Sequence, residues 1–304
     1  MRKRGGGLPR AAAPAAAAVE PSSPVPRAPG RLWVVATPIG NLGDWSPRAA
    51  QTLREVGTIL AEDTRRVRKL MTHFGISTPA VALHEHNEVR LVPVLVDRLL
   101  AGEEMALVSD AGTPLLSDPG FKLVRSCREA GVAVLAVPGP SAVAAALAVS
   151  GLPPVPFTFL GFLPPRPGAR LRVLGEARAL RHTVVLFLSP HRLAAELAAC
   201  ADTLGPERPA ALCSELSKLH ERCQWGTLGE LAAGAAGEQA RGEHTLVVGP
   251  APGLEAAEID RREAQRALDA ALARGLPLVS ARREAASLLG ISRRRLYELL
   301  SADR

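Results

Sequence analysis

Lysine is nearly missing from this chain: only Lys3, Lys69, Lys122 and Lys218 occur, and arginine supplies almost all the positive charge. With the abundance of Ala and Pro, that bias reads as a GC-rich coding sequence rather than a functional choice. No window approaches the ~18 uninterrupted apolar residues of a bilayer-crossing helix, because Pro, Gly or Arg breaks every Ala-rich run. The four cysteines, Cys127, Cys200, Cys213 and Cys223, show no CxxC and no Cys/His spacing of a zinc site. So few in so long a chain make no disulfide framework, and a reducing cytoplasm is the expected setting. A G-x-G-x-x-G turn and a GK[ST] loop are absent too, which disfavours a dinucleotide fold and excludes a P-loop. The net charge of +7 points to nucleic acid only until it is located: residues 1–31 carry +5, residues 255–304 carry +2, and the body between is neutral. An RNA footprint would have to come from the tails or from local clusters such as Arg65, Arg66, Arg68 and Lys69.

What is present suffices for more than one core, since 47 % of the 304 residues are hydrophobic and typical domain sizes then favour two domains. Residues 1–31 form an Ala/Pro/Arg-rich extension whose scattered prolines let no helix run far, and disorder is expected there. A transit peptide or a start codon set too far upstream would give the same texture. From Leu32 short apolar runs alternate with helical patterns, LWVVATP, SPRAAQTLREV, TILAED, TRRVRKLMTHF, VAL, a helix at 87–100, MALVS, a helix at 121–130 and VAVLAVP. That βα alternation predicts an α/β domain over 32–152 with a largely parallel sheet. A Pro-rich joint, GLPPVP, leads into a second α/β stretch over 153–250, with a helix near 170–180, TVVLFLS, a helix at 192–204, AALCSE and HTLVVGP. Residues 251–304 read as a helical tail with helices at 258–273, 280–289 and 292–301.

Ligands of open α/β sheets bind beyond the carboxyl ends of the strands, so the loops there hold the candidate residues. The first strand runs into Thr37, Pro38, Ile39, Gly40 and Asn41, a tight turn or a site on equal terms. After MALVS comes the run Ser109, Asp110, Ala111, Gly112, Thr113, Pro114 and on to Gly120. Its glycines permit close backbone approach, its hydroxyls can hydrogen-bond, and Asp110 can answer a positive group; so long a run of Asp, Gly, Pro and Ser reads as a ligand cradle. Between the two lies Glu62-Asp63-Thr64-Arg65-Arg66, which fits either acid/base chemistry beside phosphate contacts or simply a helix cap by Asp63 or Thr64. His84 and His86 make one H-x-H without a distant partner, which fits a polar loop capping the following helix better than a metal, and no metal is assigned.

Taken in order, VVATPIGNLGDWSPRA, AEDTRR, HEHNE, ALVSDAGTPLLSDPG, VPGPSAV, SGLP, FLGFLP, SPHR and ELSK resemble the small-subunit ribosomal RNA methyltransferase I family, of the class III, tetrapyrrole-methylase-like methyltransferases. The resemblance spans Leu32 to Gly249. It implies a two-domain class III α/β fold with S-adenosyl-L-methionine in the cleft between domains, a homodimer, and 2′-O-methylation of a cytidine in the decoding region of 16S ribosomal RNA. The RNA would be met naked or in the assembled 30S subunit. By the same resemblance Pro38, the loop residues Ser109, Asp110, Ala111, Gly112 and Thr113, and the turn residues Gly139, Ser141 and Ala142 hold the cofactor. The second domain closes over its adenine. Asn41, Arg65, Arg66, Lys69, His191 and Arg192 face the RNA, and Glu62 and Asp63 are candidates for the general base. One departure stands out: the family usually has an acidic residue before SPHR, where this chain has Leu188.

The tail SARREAASLLGISRRRLYELL also reads as a helix-turn-helix, with Ser292 as N-cap of an Arg-rich helix closed by Leu296, Tyr297 and Leu300. Three alternatives follow: a class III methylase of a tetrapyrrole, a methylase of a protein, or a DNA-binding regulator with the α/β body as ligand sensor.

Overall fold

The computed structural model describes residues 28–178, 180–235, 241–250, 261–289 and 291–301. Most of the extension expected to be disordered lies outside them. The first sheet begins one residue before Leu32: Arg31 already opens β1 (Arg31–Val35), and the Gly30 N–H donates to the Leu99 carbonyl at 2.7 Å. A side chain on Gly30 would collide with the Glu103 backbone, so only glycine lets the chain enter the sheet there.

The first sheet has the order β3-β2-β4-β1-β5 and is parallel throughout, as the alternation predicts. Besides β1 it contains β2 (Thr58–Ala61), β3 (Ala80–Ala82), β4 (Met105–Val108) and β5 (Ala133–Val137). β2 and β4 are buried at every position, because helices cover both faces. On one face α1 (Pro47–Glu55) and α2 (Thr64–His73) set Leu53, Val67 and Met71 against Ile59, Ala106 and Val108. On the other α3 (Glu85–Leu100) and α4 (Phe121–Glu129) set Leu95, Leu99 and Leu123 against Leu60, Met105 and Leu107. The helix starts follow local rules: Ser46 Oγ accepts from the Ala49 N–H ahead of Pro47, and Asp63 Oδ1 accepts from the Arg65 N–H. α3 starts at Glu85, two residues before the expected Asn87, because the Asn87 carboxamide folds back to accept the His84 N–H at 2.9 Å.

The second sheet has the order β6-β7-β10-β8-β9 and is mixed: β6 (Phe157–Phe162) runs parallel to β7 (Thr183–Leu188), and every other pairing is antiparallel. β8 (Pro209–Ser214), β9 (Arg222–Thr227) and β10 (His244–Val248) complete it. α6 (Pro167–Arg178), α7 (Leu193–Leu204) and α8 (Leu228–Gly234) cover one face. The other face receives α5 (Ala142–Val149), whose Val143, Ala146 and Leu147 pack on Val185, Ala211 and Val247. Sequence periodicity passes over α5 and β9. α5 is Ala, Val and Leu all round and has no polar face to set a 3.6-residue period, and the edge strand β9 buries too little to show alternation.

The tail forms α9 (Arg261–Ala273), α10 (Leu278–Leu288) and α11 (Arg293–Ser301) around a core of Ala264, Leu268, Ala281, Ala285 and Leu296. Residues 258–260 of the first expected helix lie outside the described residues. Ser292 Oγ accepts from the Arg295 N–H at 3.1 Å, as expected of an N-cap. Tyr297 departs from expectation: it is 61 % exposed, so Leu296 alone of the trio is fully buried.

Candidate active site

The carboxyl ends of β1, β2, β4 and β5 open into a cleft of about 580 Å³ whose far wall comes from the second sheet. Its size is that of a small-molecule site. Two exchanged backbone hydrogen bonds, Thr37 N–H to the Gly112 carbonyl at 2.9 Å and Gly112 N–H to the Thr37 carbonyl at 3.1 Å, tie the loop after β1 to the loop after β4. Gly112 sits at φ +84° with Ile39 3.2 Å from where a Cβ would be, so both conformation and space call for glycine. Ser109 Oγ donates to the Gly112 carbonyl and Thr113 Oγ1 to the Pro140 carbonyl, which fixes the SDAGTP loop against the turn leading to α5. Beyond it, Leu115 and Ser117 both hold φ near +75°, a strain of the kind that clusters at functional loops. The buried carboxylate of Glu88, from the HEHNE stretch, accepts the Lys122 and Leu123 N–H groups and anchors the far end of the loop at the start of α4.

Of the expected cofactor residues, Asp110, Ala111, Gly112, Thr113, Ser141 and Ala142 line the cleft. Pro38, Ser109 and Gly139 are not among its lining residues. They shape it from behind: Ser109 is buried and spends its hydroxyl on Gly112, and Gly139 lies where a Cβ would meet Ala36 at 3.0 Å. Ser141 opens α5 with no capping bond from its side chain, so its hydroxyl and the first-turn N–H groups at the cleft are suited to an anionic group.

Five carboxylates line this cleft: Glu62, Asp63, Asp110 and Asp118 on the parallel-sheet side, with Arg66 among them, and Glu243 across from them. They are not equivalent. Asp63 is fully engaged, bonded to the Arg65 guanidinium at 2.8 and 3.0 Å and capping α2, and these bonds hold its carboxyl down at about 2. Asp110 Oδ1 accepts the Asp63 N–H at 3.1 Å, and Oδ2 faces Arg66 at 3.4 Å. Glu62 is pushed above the usual carboxylate range, first by burial and then by Asp110 and Glu85. Asp118 is pushed up to about 7 by burial, then by Glu62 and Asp110. The sequence places Asp118 in the ligand-cradle run but not beside Glu62, which only the fold brings near it.

The far wall has an apolar part, Phe162, Phe187, Leu188 and Pro190, and a polar margin, Gly242, Glu243, His244 and Thr245. Phe159 and Phe162 pack on Phe187 with ring centroids 4.8 and 5.3 Å away. Leu188 is buried opposite His244 on β10, where it adds an aliphatic side chain to the wall. The SPHR segment reaches the cleft through Pro190 only. His191 is exposed outside it, and Arg192 is bonded at 2.8 Å to the fully buried Glu196, so the structure does not bring these two expected RNA contacts to the cleft. Arg65 and Lys69 line a separate shallow groove on α2 with Arg68 and Thr72, while Asn41 is exposed and binds the Gly43 N–H. The ELSK segment reaches back across the molecule: Lys218 covers Gly40, and Ser217 Oγ donates to Asp44.

Comparison with known proteins shows the family. Residues 31–232 match the family described as Tetrapyrrole (Corrin/Porphyrin) Methylases. Ribosomal RNA small subunit methyltransferase I of Xylella fastidiosa (strain Temecula1) is 48 % identical over 271 residues, covering 88 % of this chain and 98 % of that protein. The chain belongs to the ribosomal RNA small subunit methyltransferase I family. Its member from Escherichia coli O157:H7 is 42 % identical over 88 % of this chain and 94 % of its own. Among solved structures, diphthine synthase superposes with a TM-score of 0.58 at 16 % identity, covering 72 % of this chain and 89 % of its own. Uroporphyrin-III C-methyl transferase from Thermus thermophilus, complexed with S-adenosyl homocysteine, superposes at 0.53 and 21 % identity, covering 72 % and 97 %. These two share the fold of this family member while their names specify other substrates, so the substrate has to be argued from the site and the close relatives.

Proposed function

We propose that this chain methylates the ribose 2′-hydroxyl of a cytidine in the decoding region of small-subunit ribosomal RNA, using S-adenosyl-L-methionine. The carrying observation is the pairing, in one cleft, of a glycine-built loop with the raised carboxylates Glu62 and Asp118, a few residues from the arginine-rich face of α2. The residues present fit the cofactor. Gly112 and Ala111 leave room for backbone approach, the start of α5 suits a carboxylate, Asp110 suits an ammonium, and the Phe162/Phe187/Leu188 wall suits an adenine. When bound, the cofactor supplies a methyl group already activated on a sulfonium. The chain's own task is then to align the hydroxyl and take one proton.

Asp63 is a poor acceptor because its lone pairs are spent on Arg65 and the α2 cap. The acceptor is drawn from Glu62 and Asp118: burial raises both, and Asp118, pushed up to about 7 by burial and then by Glu62 and Asp110, lies close to neutral pH, where general bases work best. Arg66 restrains Asp110, and with Arg65, Arg68 and Lys69 it offers the phosphate backbone a positive approach along α2. Two copies act together: β5 is an edge strand with Leu135 37 % exposed, a surface that pairing with a second chain would cover. The setting is the cytoplasm, and no helix of the described residues is long and apolar enough to cross a membrane.

The test offers the purified protein with methyl-labelled cofactor to small ribosomal subunits, naked small-subunit RNA, a porphyrinoid and a protein extract freed of ribosomes. Label in a 2′-O-methylcytidine of the RNA supports the reading. Label only in the porphyrinoid or in protein overturns it. The regulator alternative requires sequence-selective duplex binding by the full chain, and a gel shift without it removes that alternative.

A further inference from the structure

Cys213 on β8 and Cys223 on β9 are directly opposed across an antiparallel pair, and their Sγ atoms lie 3.2 Å apart. Directly opposed antiparallel residues have Cα atoms about 4.5 or 5.5 Å apart, and both separations fall within the range that disulfides span. Closing the sulfurs to bonding distance takes a movement of ~1 Å, within reach of side-chain rotation on a fixed backbone. The two thiols differ in access: Cys213 is fully buried and Cys223 is exposed. Neither takes part in the methyl-transfer cleft as derived above.

We propose that Cys213 and Cys223 form a reversible intramolecular disulfide when the protein meets a peroxide. The exposed Cys223 sulfur, as thiolate, attacks a peroxide oxygen. The O–O bond breaks, leaving a sulfenic acid on Cys223, and the departing hydroxide takes up a proton to become water. The Cys213 sulfur then attacks the Cys223 sulfur, the S–O bond breaks, and the departing hydroxide takes the Cys213 proton as a second water. Two thiols lose two electrons in all, and the peroxide gains them. Burial and the neighbouring Cys223 raise the Cys213 thiol, so the exposed Cys223 is the one that meets the peroxide first. Its partner is already in contact, which favours closure over further oxidation of the sulfenic acid.

The bond would fasten the edge strand of the second sheet. It also lies against the wall of the cleft: Cys213 shares a core with Val143 and Ala146 of α5, and Cys223 Sγ lies 3.9 Å from the Val149 carbonyl at the end of that helix. Cys127 and Cys200 serve as internal controls, since each is buried in a different core, with its thiol pushed up to about 11 and about 12 by burial.

The folded full chain is treated with hydrogen peroxide in modest excess, quenched, unfolded and alkylated. The expected result is two alkylated thiols in place of four, a mass lower by two hydrogens, a tryptic cross-link joining the Cys213 and Cys223 peptides, and full recovery of four thiols with dithiothreitol. Cys223→Ser should keep all three remaining thiols, and Cys213→Ser should halt at sulfenic acid on Cys223. Circular dichroism melting of both variants checks that they fold. Four alkylatable thiols after peroxide, a sulfinic acid on Cys223 with Cys213 free, or a Cys223 disulfide between two chains would each overturn the proposal. The readout does not depend on methyl transfer, so it stands or fails separately from the proposed function.

Discussion

The two walls of the cleft are built in opposite ways. The floor, from the parallel sheet, is polar backbone and carboxylate: Gly112 in a left-handed turn, Ser109 and Thr113 spent on holding the loop, and Glu62, Asp110 and Asp118 crowded around one arginine. The far wall, from the mixed sheet, is mainly aromatic and aliphatic, Phe162, Phe187 and Leu188, with Glu243, His244 and Thr245 at its margin. Under the proposed function the walls divide the labour, the floor supplying charge and proton acceptance and the far wall mostly contact area. Each half can be broken separately.

The largest effect belongs to the floor's chemistry. Glu62→Gln with Asp118→Asn removes the proton acceptor and should slow single-turnover methyl transfer by about 10²- to 10⁴-fold, the usual worth of a general base. Next comes the floor's binding function: Asp110→Ala loses the bond to the Asp63 N–H and the Arg66 contact, and cofactor affinity measured by calorimetry should fall by about 10- to 100-fold, as for a lost charged hydrogen bond. On the far wall, Phe162→Ala should weaken cofactor binding by about 10-fold, the scale of one aromatic stacking contact, with the methyl-transfer rate at saturating cofactor nearly unchanged. If Phe162→Ala instead lowers that rate as much as the carboxylate changes do, the division of labour is wrong. The smallest effect lies outside both walls. Arg68→Ala or Lys69→Ala should weaken RNA binding modestly and reduce the salt slope by about one ion each.

The pH dependence sharpens the same comparison. A carboxyl raised to about 7 in the folded chain is protonated below that pH and cannot accept, so the wild-type rate should rise through neutral pH and level off above it. Stability moves the other way. Asp118 holds its proton more tightly folded than unfolded, so its burial costs nothing below the ordinary carboxylate range, and the cost grows as pH rises towards 7. Asp118→Asn should therefore gain in melting temperature over wild type at pH 8 relative to pH 5. Asp63 has the opposite sign: its lowered carboxyl stabilises the fold at neutral pH, and that contribution fades as pH falls towards about 2.

What could be read from the sequence follows the same division. The floor was legible because its residues break the apolar rhythm: SDAGTPLLSDPG is too polar and turn-rich to be core, and the βα alternation places it at a strand's carboxyl end. The far wall was not, because Phe162, Phe187 and Leu188 sit on strands where an apolar residue reads as core. Asp118 was legible as part of the ligand-cradle run but not as a raised carboxyl, since its shift needs burial and then Glu62 and Asp110 brought near it by the sheet. Arg192, within SPHR, is the converse case: expected as an RNA contact, it pairs in the fold with the buried Glu196 one turn further on while its own side chain stays partly exposed. α5 escaped because a helix of Ala, Val and Leu has no polar face to give it a period, yet it joins the two halves by packing on the second sheet while its first residue lines the cleft.

The most direct test measures two quantities on one protein: cofactor affinity by calorimetry and single-turnover transfer to small ribosomal subunits, both for the Glu62→Gln/Asp118→Asn variant. The account predicts affinity within about 3-fold of wild type and a rate lower by at least about 100-fold. A wild-type rate in that variant would contradict it.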